Sequence, residues 1–433
     1  MLAPAVSVKE LEKLHLADLR ARASEAGIRD FRMLRREELI AALQEEGDTD
    51  ELDLVGEDEP FEEEGDVRAE AVEEADGGDE EDEERDEEEA GETVTGVLEL
   101  TRQRYGFLRL KGLAPDPDDV YISAAQVRRC ELRQGDEVSG PAREPRRGER
   151  HRALVHVDAV NGQEPVEEGR PSFDDLAPVL ADRRIPLDAV RDDVLVRSAD
   201  LLAPLAFGQR VLVRAASRSG RTTLLRGIAR AAVAADARVI VLLIDERPEE
   251  ATAWREAVPE AEFAIATADL APAEQLRIAE LALERSRRIA ESGGDAVLVC
   301  DSLSRLAFAA GGVDEVKRLF GSGRNLADGG SLTVVATTVA DSHDDGEADR
   351  AVITTESALI TLDPDLASMG VTPPIVASEC RVSNEDALRE PAELEAARRL
   401  RSQLADLAAR EAADFLRERV EGSSSNAELL RNL

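Results

Sequence analysis

Cysteine, aromatic residues and long apolar runs are scarce in this chain of 433 residues, and each scarcity excludes a class of protein. The three cysteines, Cys130, Cys300 and Cys380, stand far apart without metal-ligand spacing, so we expect reduced thiols rather than disulfides or a zinc site. No apolar run approaches the roughly 18 residues of a membrane span, and residues 1–16 lack the basic-then-apolar pattern of a signal peptide. These features predict a cytoplasmic protein.

Lysine is nearly absent too, with four lysines among 54 basic residues. The scarcity matters at residues 215–222, which are Ala-Ala-Ser-Arg-Ser-Gly-Arg-Thr where a phosphate-binding P-loop has Gly-x-x-x-x-Gly-Lys-Thr. A predicted strand at 211–213 precedes this motif and a predicted helix at 223–232 follows it, so backbone N–H groups would hold phosphates at a helix N-terminus. Arg221 replaces the lysine and is not its geometric equivalent. Whether the chain is a working or an inactive ATPase therefore stays open.

The negative charge is concentrated in one segment. The formal net charge is −39, and residues 45–92 carry 28 Asp and Glu side chains against Arg68 and Arg85. Because this segment is poor in apolar residues and has no periodicity, residues 46–92 are predicted to be a disordered linker. It is either a solvated spacer or a polyanion that competes for basic surfaces. Before it, leucines at helical spacing predict a small helical module over residues 1–45.

Residues 93–163 change to short alternating runs punctuated by glycine and proline, which predicts a five-stranded barrel of the OB or cold-shock type. Residues 96–160 hold 12 Lys and Arg against 10 Asp and Glu, so this part is basic within an acidic chain. Tyr105 and Phe107 share one face of a predicted strand, with Tyr121 nearby. Aromatic side chains among arginines stack single-stranded nucleic acid. The alternative is that the rings fill the barrel core.

Residues 164–433 alternate buried strands with helices and end in an amphipathic helical tail. This pattern predicts a RecA-like α/β core around a parallel sheet. The predicted strand at 239–244 ends in Asp245-Glu246-Arg247, and the one at 296–300 ends in Asp301. Carboxylates at the carboxyl ends of parallel strands lie where ligands bind in such sheets. Asp301 is therefore predicted to be a Walker-B aspartate that holds Mg²⁺ through water.

The order of helical module, barrel and P-loop core resembles the Rho family of bacterial transcription termination factors. The most specific matches are residues 241–250 (VLLIDERPEE), 301–307 (DSLSRLA) and 329–333 (GGSLT), with 119–123 (DVYIS) and 148–150 (GER) in the barrel. Members form hexameric rings that bind nascent RNA in the barrel and pull it through the centre with ATP. The resemblance implies single-stranded RNA, ATP and Mg²⁺ as ligands, RNA polymerase as a further partner, and a hexamer or a mixed ring with a second Rho.

The resemblance also implies roles for individual residues. Glu246 would orient the attacking water, Arg247 would assist at the phosphates, and Thr222 and Asp301 would serve Mg²⁺. The residues implied to bind nucleotide are Gly208, Gln209, Arg210, Arg218, Ser219, Gly220, Arg221, Thr222 and Thr223. The residues implied to contact RNA are Tyr105, Gly106, Phe107, Arg109, Asp119, Tyr121, Glu149 and His151, the last of which stands where the family has an aromatic residue.

Departures from the family pattern concentrate in the core. The segment between Ala307 and Lys317 is too short for the family's first pore loop, and residues 341–345 (DSHDD) are acidic where the second should grip RNA. Residues 369–373 (MGVTP) replace a Lys-Arg pair and a phenylalanine that packs on adenine.

The arginine finger is also altered, because Ser383 stands at its expected position and Arg381 lies two residues away. Such a finger accelerates phosphoryl transfer by roughly 10³–10⁵. Two hypotheses from different classes follow. The chain is an ATP-dependent RNA translocase with weakened activity, or it is a non-catalytic RNA-binding regulator.

Deletion of residues 46–92 is expected to tighten RNA binding, most strongly at low salt. A tethered polyanion competes with RNA for the basic barrel, and salt screens that competition. The measurement is RNA affinity of the full chain and of the deletion variant across a salt series. Equal affinities at every salt concentration would make the segment a spacer.

Overall fold

The computed structural model describes residues 91–433, except 167–168, 192, 328 and 340–345. The predicted helical module at 1–45 and the predicted linker, apart from its last two residues, lie outside the described residues. No helix in the described ranges is both long and apolar enough to cross a membrane. The described part of the chain contains a β-barrel followed by a larger α/β core.

The barrel has the predicted closed circuit of five strands. Its strands are β1 (Thr93–Leu100), β2 (Gly106–Arg109), β3 (Val120–Ile122), β4 (Glu137–Arg143), β5 (Ala153–Leu154) and β6 (Ala159–Val160). β1 pairs with both β2 and β4, β3 pairs with β2 and β5, and β5 returns to β4, while β6 adds to β4. Leu98, Leu108 and Ile122 are fully buried in its centre because alternate side chains of each strand face inward.

Two features of the barrel differ from the sequence expectation. The alternating pattern at 153–157 predicts a longer strand than the structure has, since β5 covers two residues. Helix α1 (Ala124–Arg129) was not predicted, because six residues are too few to show helical periodicity. It begins at a capping box, in which the Ser123 hydroxyl accepts the Gln126 N–H and the Gln126 side chain accepts the Ser123 N–H.

The core contains the predicted parallel sheet. Its strands are β7 (Pro178–Val179), β8 (Arg210–Ala215), β9 (Arg238–Glu246), β10 (Glu262–Thr267), β11 (Asp295–Asp301), β12 (Arg324–Leu326), β13 (Ser331–Val339), β14 (Ala358–Leu362) and β15 (Arg381–Val382). The strand order is β10-β9-β11-β13-β8-β14-β15, and the first six of these are mutually parallel. The carboxyl ends of β8, β9 and β11 therefore meet at one edge of the sheet.

Helices cover both faces of this sheet. They are α2 (Val194–Leu202), α3 (Arg221–Ala234), α4 (Pro248–Ala257), α5 (Pro272–Glu291), α6 (Leu303–Ala310), α7 (Asp314–Gly321), α8 (Gly346–Val352), α9 (Pro364–Ser368), α10 (Glu385–Leu388), α11 (Pro391–Ala405), α12 (Ala409–Glu421) and α13 (Asn426–Arg431). Strand β9 shows why: Val241 and Leu243 join one hydrophobic cluster, while Leu242 and Ile244 join the other. A strand buried on both faces is uniformly apolar.

The barrel is held against the core by backbone contact and by buried charge. The Leu113 N–H donates to the Phe263 carbonyl oxygen over 2.9 Å. Gly135 lies so close to α5 that a Cβ would stand 2.4 Å from the Arg285 backbone nitrogen, and its φ of +83° also favours glycine. The Arg285 guanidinium is buried and contacts Glu137 of β4 at 2.5 Å and Glu262 of β10 at 2.9 Å. Arg285 thus links the two domains.

The Arg285→Ala substitution is expected to lower the free energy of unfolding by about 1.5–3 kcal/mol, because it removes the buried hydrogen bonds to two carboxylates that then keep only Arg238. Arg318→Ala is the matched control, since Arg318 pairs with Glu315 at the surface and such a pair contributes under about 1 kcal/mol. Urea unfolding followed by fluorescence of the buried Trp254, the single tryptophan, measures both. Equal losses in the two variants would contradict the role given to Arg285.

Candidate nucleotide site and nucleic-acid interface

The P-loop lies between the carboxyl end of β8 and the first turn of α3. Gly220 has a φ of +88°, a left-handed conformation that favours glycine, and α3 begins at the next residue. The Ser219 hydroxyl donates to the Ala216 carbonyl oxygen over 2.7 Å and closes the loop. No side chain caps the N-terminus of α3. Its first N–H groups can therefore bind an anion such as phosphate.

Two carboxylates lie at the same edge of the sheet. Glu246 ends β9 and Asp301 ends β11, and both are buried although the preceding Asp245 is exposed. The Thr337 hydroxyl of β13 donates to Asp301 Oδ1 over 3.0 Å. Burial raises the pKa of the Asp301 carboxyl above its ordinary value, and the guanidinium of Arg221 opposes that shift. This pair of buried acids requires nearby positive charge.

Arg221 supplies that charge. Its Nε lies 3.2 Å from Asp301 Oδ1, and its Nη2 lies 3.7 Å from Glu246 Oε1. The Arg305 guanidinium of α6 also donates to Glu246. Arg305 was not predicted as a site residue, although it lies inside the quoted DSLSRLA segment. The arginine at the lysine position of the P-loop thus faces the acids at the strand ends.

The residues predicted to hold Mg²⁺ do not fit that ion in this arrangement. Asp301 Oδ1 already contacts the Arg221 guanidinium and the Thr337 hydroxyl. Mg²⁺ requires close oxygen ligands in octahedral geometry and keeps several of its waters. The guanidinium in direct contact with Asp301 Oδ1 occupies the position that an ion or its water would take on that oxygen. Within the described residues no group of three His, Cys, Asp or Glu side chains forms a metal site either.

A cleft of about 890 Å³ opens beside the P-loop. Arg218, Gly220 and Thr223 line one side, and Gly370 and Thr372 line another. The segment at 369–373 therefore faces the phosphate loop, as the resemblance implied for the residues that pack on the base. None of the described lining residues is aromatic. The cleft can hold a nucleotide but offers its base no ring for stacking.

Part of the predicted nucleotide set lies elsewhere. Gly208, Gln209 and Arg210 are at the amino end of β8, whereas the P-loop follows its carboxyl end, about 17 Å away at the rise of an extended strand. The Gly208 N–H donates to Thr333, and the Arg210 guanidinium donates to the Thr355 and Gly323 carbonyl oxygens. These three residues therefore lie away from the P-loop of the same chain, and their approach to a nucleotide stays a prediction. Arg247 is 77% exposed at the start of α4 and does not contact Arg221 or Asp301.

Four rings cluster on the barrel, and we call Tyr105, Phe107, Tyr121 and His151 the ring patch. Neighbouring centroids are 5.1 to 6.1 Å apart, with Phe107 at the centre facing His151 edge-on. All four rings are half-buried and lie outside the hydrophobic cluster that fills the barrel. His151 Nδ1 is buried without a hydrogen-bond partner in the described part of the chain. The alternative that the tyrosines and Phe107 fill the barrel core is therefore wrong.

Arg109 and Asp119 lie buried behind the ring patch rather than on its solvent-facing surface. Arg109 is buried between Glu99 and Asp119, donating to both, and Asp119 is 1% exposed. The Arg109 guanidinium carbon lies 5.7 Å from the Phe107 ring centroid. The prediction that these two side chains touch RNA directly is contradicted by their burial. Gly106 is likewise buried, beneath Leu98.

Glu149 lies beside the ring patch and forms an ion pair with an arginine. Arg143 donates to both of its oxygens, at 2.6 and 2.9 Å. These hydrogen bonds lower the pKa of Glu149 to about 2, although partial burial opposes them. Burial raises the pKa of the Tyr121 hydroxyl, with smaller contributions from Tyr105 and Glu149. The side chain of Glu149 remains 38% exposed, so an RNA base can still reach it.

The segment predicted to be a shortened pore loop is largely helical. Helix α6 continues to Ala310, and only three residues separate it from α7. Phe308, near the end of α6, is 86% exposed. Of the two candidates for the finger position, Arg381 contacts Glu356 and Ser383 is exposed. The acidic segment 341–345 lies outside the described residues.

Two family models match this chain. The Rho termination factor RNA-binding domain matches residues 94–166, which include the barrel and its ring patch. The nucleotide-binding domain of the ATP synthase alpha/beta family matches residues 196–321, which include the P-loop, Glu246 and Asp301. The two matches follow the order of barrel and core along the chain.

Individual relatives agree with these matches. The chain is 34% identical over 365 residues to transcription termination factor Rho of Aquifex aeolicus, covering 78% of this chain and 84% of that protein. It is 35% identical over 364 residues to that of Streptomyces lividans, covering 78% of this chain and 51% of that protein. For Bacillus subtilis Rho the identity is 41% over 268 residues, covering 57% of this chain and 62% of that protein. The chain thus spans about half to three fifths of the length of the last two relatives. With barrel and core aligned to the Aquifex protein over most of both chains, this protein belongs to the transcription termination factor Rho family.

Proposed function

We propose that this chain acts as a Rho-type transcription termination factor that binds single-stranded RNA through the barrel and ATP through the P-loop core, with weakened ATP-driven movement along RNA. The ring patch is the observation that carries the RNA part. Its rings lie half-buried outside the barrel core, and the exposed Arg102 and Arg104 precede Tyr105 along the chain. Rings provide stacking platforms and arginines neutralise phosphates, which together bind single strands without requiring one sequence.

The nucleotide part rests on the P-loop and its cleft. The uncapped N-terminus of α3 and the hydroxyls of Thr222 and Thr223 remain available to phosphate groups. Since no ring among the described residues lines the cleft beside Thr372, the base contributes little and we expect weak binding without selectivity for adenine. Glu246 would orient the attacking water, but two guanidinium groups contact its carboxylate. Hydrolysis should therefore be slower than binding alone would allow.

The contacts of Glu246 also favour a second candidate, a non-catalytic RNA-binding regulator. In that case the core holds nucleotide, or a neighbouring subunit, without turning ATP over. Residues 93–163 would form the RNA-binding domain and residues 164–433 the nucleotide-binding domain in either case. The chain would act in a homo-oligomeric ring or in a mixed ring with a second Rho. RNA polymerase would be a further partner.

Replacing both Tyr105 and Phe107 with alanine is expected to weaken RNA binding by about 1–3 kcal/mol for each stacked base that is lost. The matched control is the Tyr105→Phe, Phe107→Tyr double variant, which keeps both rings and should bind RNA nearly as well as the wild type. Affinity for a single-stranded RNA is measured by fluorescence anisotropy at one fixed salt concentration. Equal affinity of the alanine variant and the wild type would overturn the role of the ring patch.

Addition of RNA is expected to produce little or no increase in ATP hydrolysis, because Glu246 is paired with Arg221 and Arg305. The measurement is phosphate release by the purified full chain with and without single-stranded RNA. Glu246→Gln serves as the control, since turnover that survives this substitution comes from a contaminant. Substantial RNA-stimulated turnover that Glu246→Gln abolishes would contradict weakened activity and would exclude the non-catalytic candidate.

A further inference from the structure

The position of Arg221 has a consequence for how the P-loop core would bind nucleotide, and it rests on the nucleotide binding proposed above. We propose that the Arg221 guanidinium takes the place of the divalent cation between Glu246 and Asp301, so that this chain binds the phosphates of a nucleotide without a divalent cation. The chain would then hold ATP as the free anion. Three observations carry this inference: the contacts of Arg221, the charge balance, and an unpaired nitrogen.

Arg221 contacts both Glu246 and Asp301 from the P-loop side of the site. Nε lies 3.2 Å from Asp301 Oδ1, a direct contact without intervening water, and Nη2 approaches Glu246 at 3.7 Å. No other cation lies within 4 Å of Asp301 in the described part of the chain. If Arg221 swung away to the phosphates, Asp301 would remain buried without a countercharge. Breaking a buried ion pair in this way is strongly unfavourable, so the arginine is held where it is.

The charge of the site is already balanced. Glu246 and Asp301 bring two negative charges, and Arg221 and Arg305 bring two positive charges. A lysine at position 221 would present a single point charge that reaches one acceptor at a time, which leaves the second acid for a metal. The planar arginine fork instead spans both acids. Without bound nucleotide, adding a divalent cation would leave the buried site with uncompensated positive charge.

The third observation is an unused donor. Nη1 of Arg221 is buried and has no hydrogen-bond partner among the described residues. A buried guanidinium nitrogen without a partner is unfavourable and normally indicates a missing acceptor. Arg221 is the first residue of α3, at the end of the P-loop where phosphate oxygens would lie. The Arg221 guanidinium can thus contact both acids and still donate to a phosphate.

The first test compares ATP binding by the full chain in buffer with MgCl₂ and in buffer with EDTA, using calorimetry. We expect the two dissociation constants to agree within about twofold. Mg²⁺ can strengthen ATP binding only if the two ligands are coupled, and Arg221 removes that coupling by occupying the cation position. In Arg221→Lys, Mg²⁺ should strengthen ATP binding by at least about tenfold. Arg218→Lys is the matched control, because it removes a guanidinium from the same loop that does not contact Glu246 or Asp301. Its affinity can fall, but its two dissociation constants should still agree.

The outcomes separate this inference from the proposed function. ATP binding by the wild type that requires Mg²⁺ would overturn the inference and leave nucleotide binding intact. Absence of ATP binding in both buffers would overturn nucleotide binding and the inference with it. Equal Mg²⁺ dependence in the wild type and Arg221→Lys would also contradict the role of Arg221.

A second test needs no nucleotide. Binding of Mn²⁺ is followed by electron paramagnetic resonance in the wild type, in Arg221→Ala, and in Arg221→Ala combined with Asp301→Asn. We expect one additional bound ion in Arg221→Ala, which disappears in the double variant. The acidic segment at 45–92 is present in all three proteins and cancels in the difference. Absence of an additional bound ion in Arg221→Ala would show that Arg221 does not hold the cation position.

Discussion

The nucleotide site depends on two acids buried at neighbouring strand ends, because their negative charge must be paired with positive charge. Because β9 and β11 are adjacent and parallel, their carboxyl ends bring Glu246 and Asp301 to the same edge as the P-loop. Buried charge must be paired, and the pairing here comes from Arg221 and Arg305 rather than from solvent. The identity of one P-loop residue therefore determines the charge state of the whole edge.

The same solution recurs at two other places in the part of this lysine-poor chain that the structure describes. Arg109 bridges Glu99 and Asp119 inside the barrel, and Arg285 bridges Glu137 and Glu262 between barrel and core. For Glu262, burial alone would raise the pKa, but its contacts with Arg285 and Arg238 lower it. A planar guanidinium can serve two carboxylates at once, which an ammonium does less well. The arginine of the P-loop follows this general use of arginine in the chain.

Much of the fold was predictable because its signals are local. Strands such as β9 are continuous apolar runs, and the charge that follows them marks the strand end where a ligand binds. Site residues were harder to place from the sequence where contact depends on the third dimension. Gly208 precedes the P-loop by few residues, yet the intervening strand carries it to the opposite edge of the sheet. Arg109 and Asp119 are polar residues in a binding motif, and only the barrel closure shows that they pair inside it.

The contrast between barrel and core follows from how each holds its charges. In the barrel, Arg109 is buried behind Phe107 and pairs with Glu99 and Asp119 inside the barrel. The solvent-facing side of the ring patch therefore stays accessible to RNA. In the core, Arg221 neutralises the acids from the side on which the nucleotide would enter, because the P-loop itself supplies it. Neutralisation therefore leaves the barrel surface open but occupies the reactive edge of the sheet. A core arranged in this way can retain phosphate binding after it has lost the space for a catalytic cation, since the N–H groups of α3 do not depend on Glu246 or Asp301.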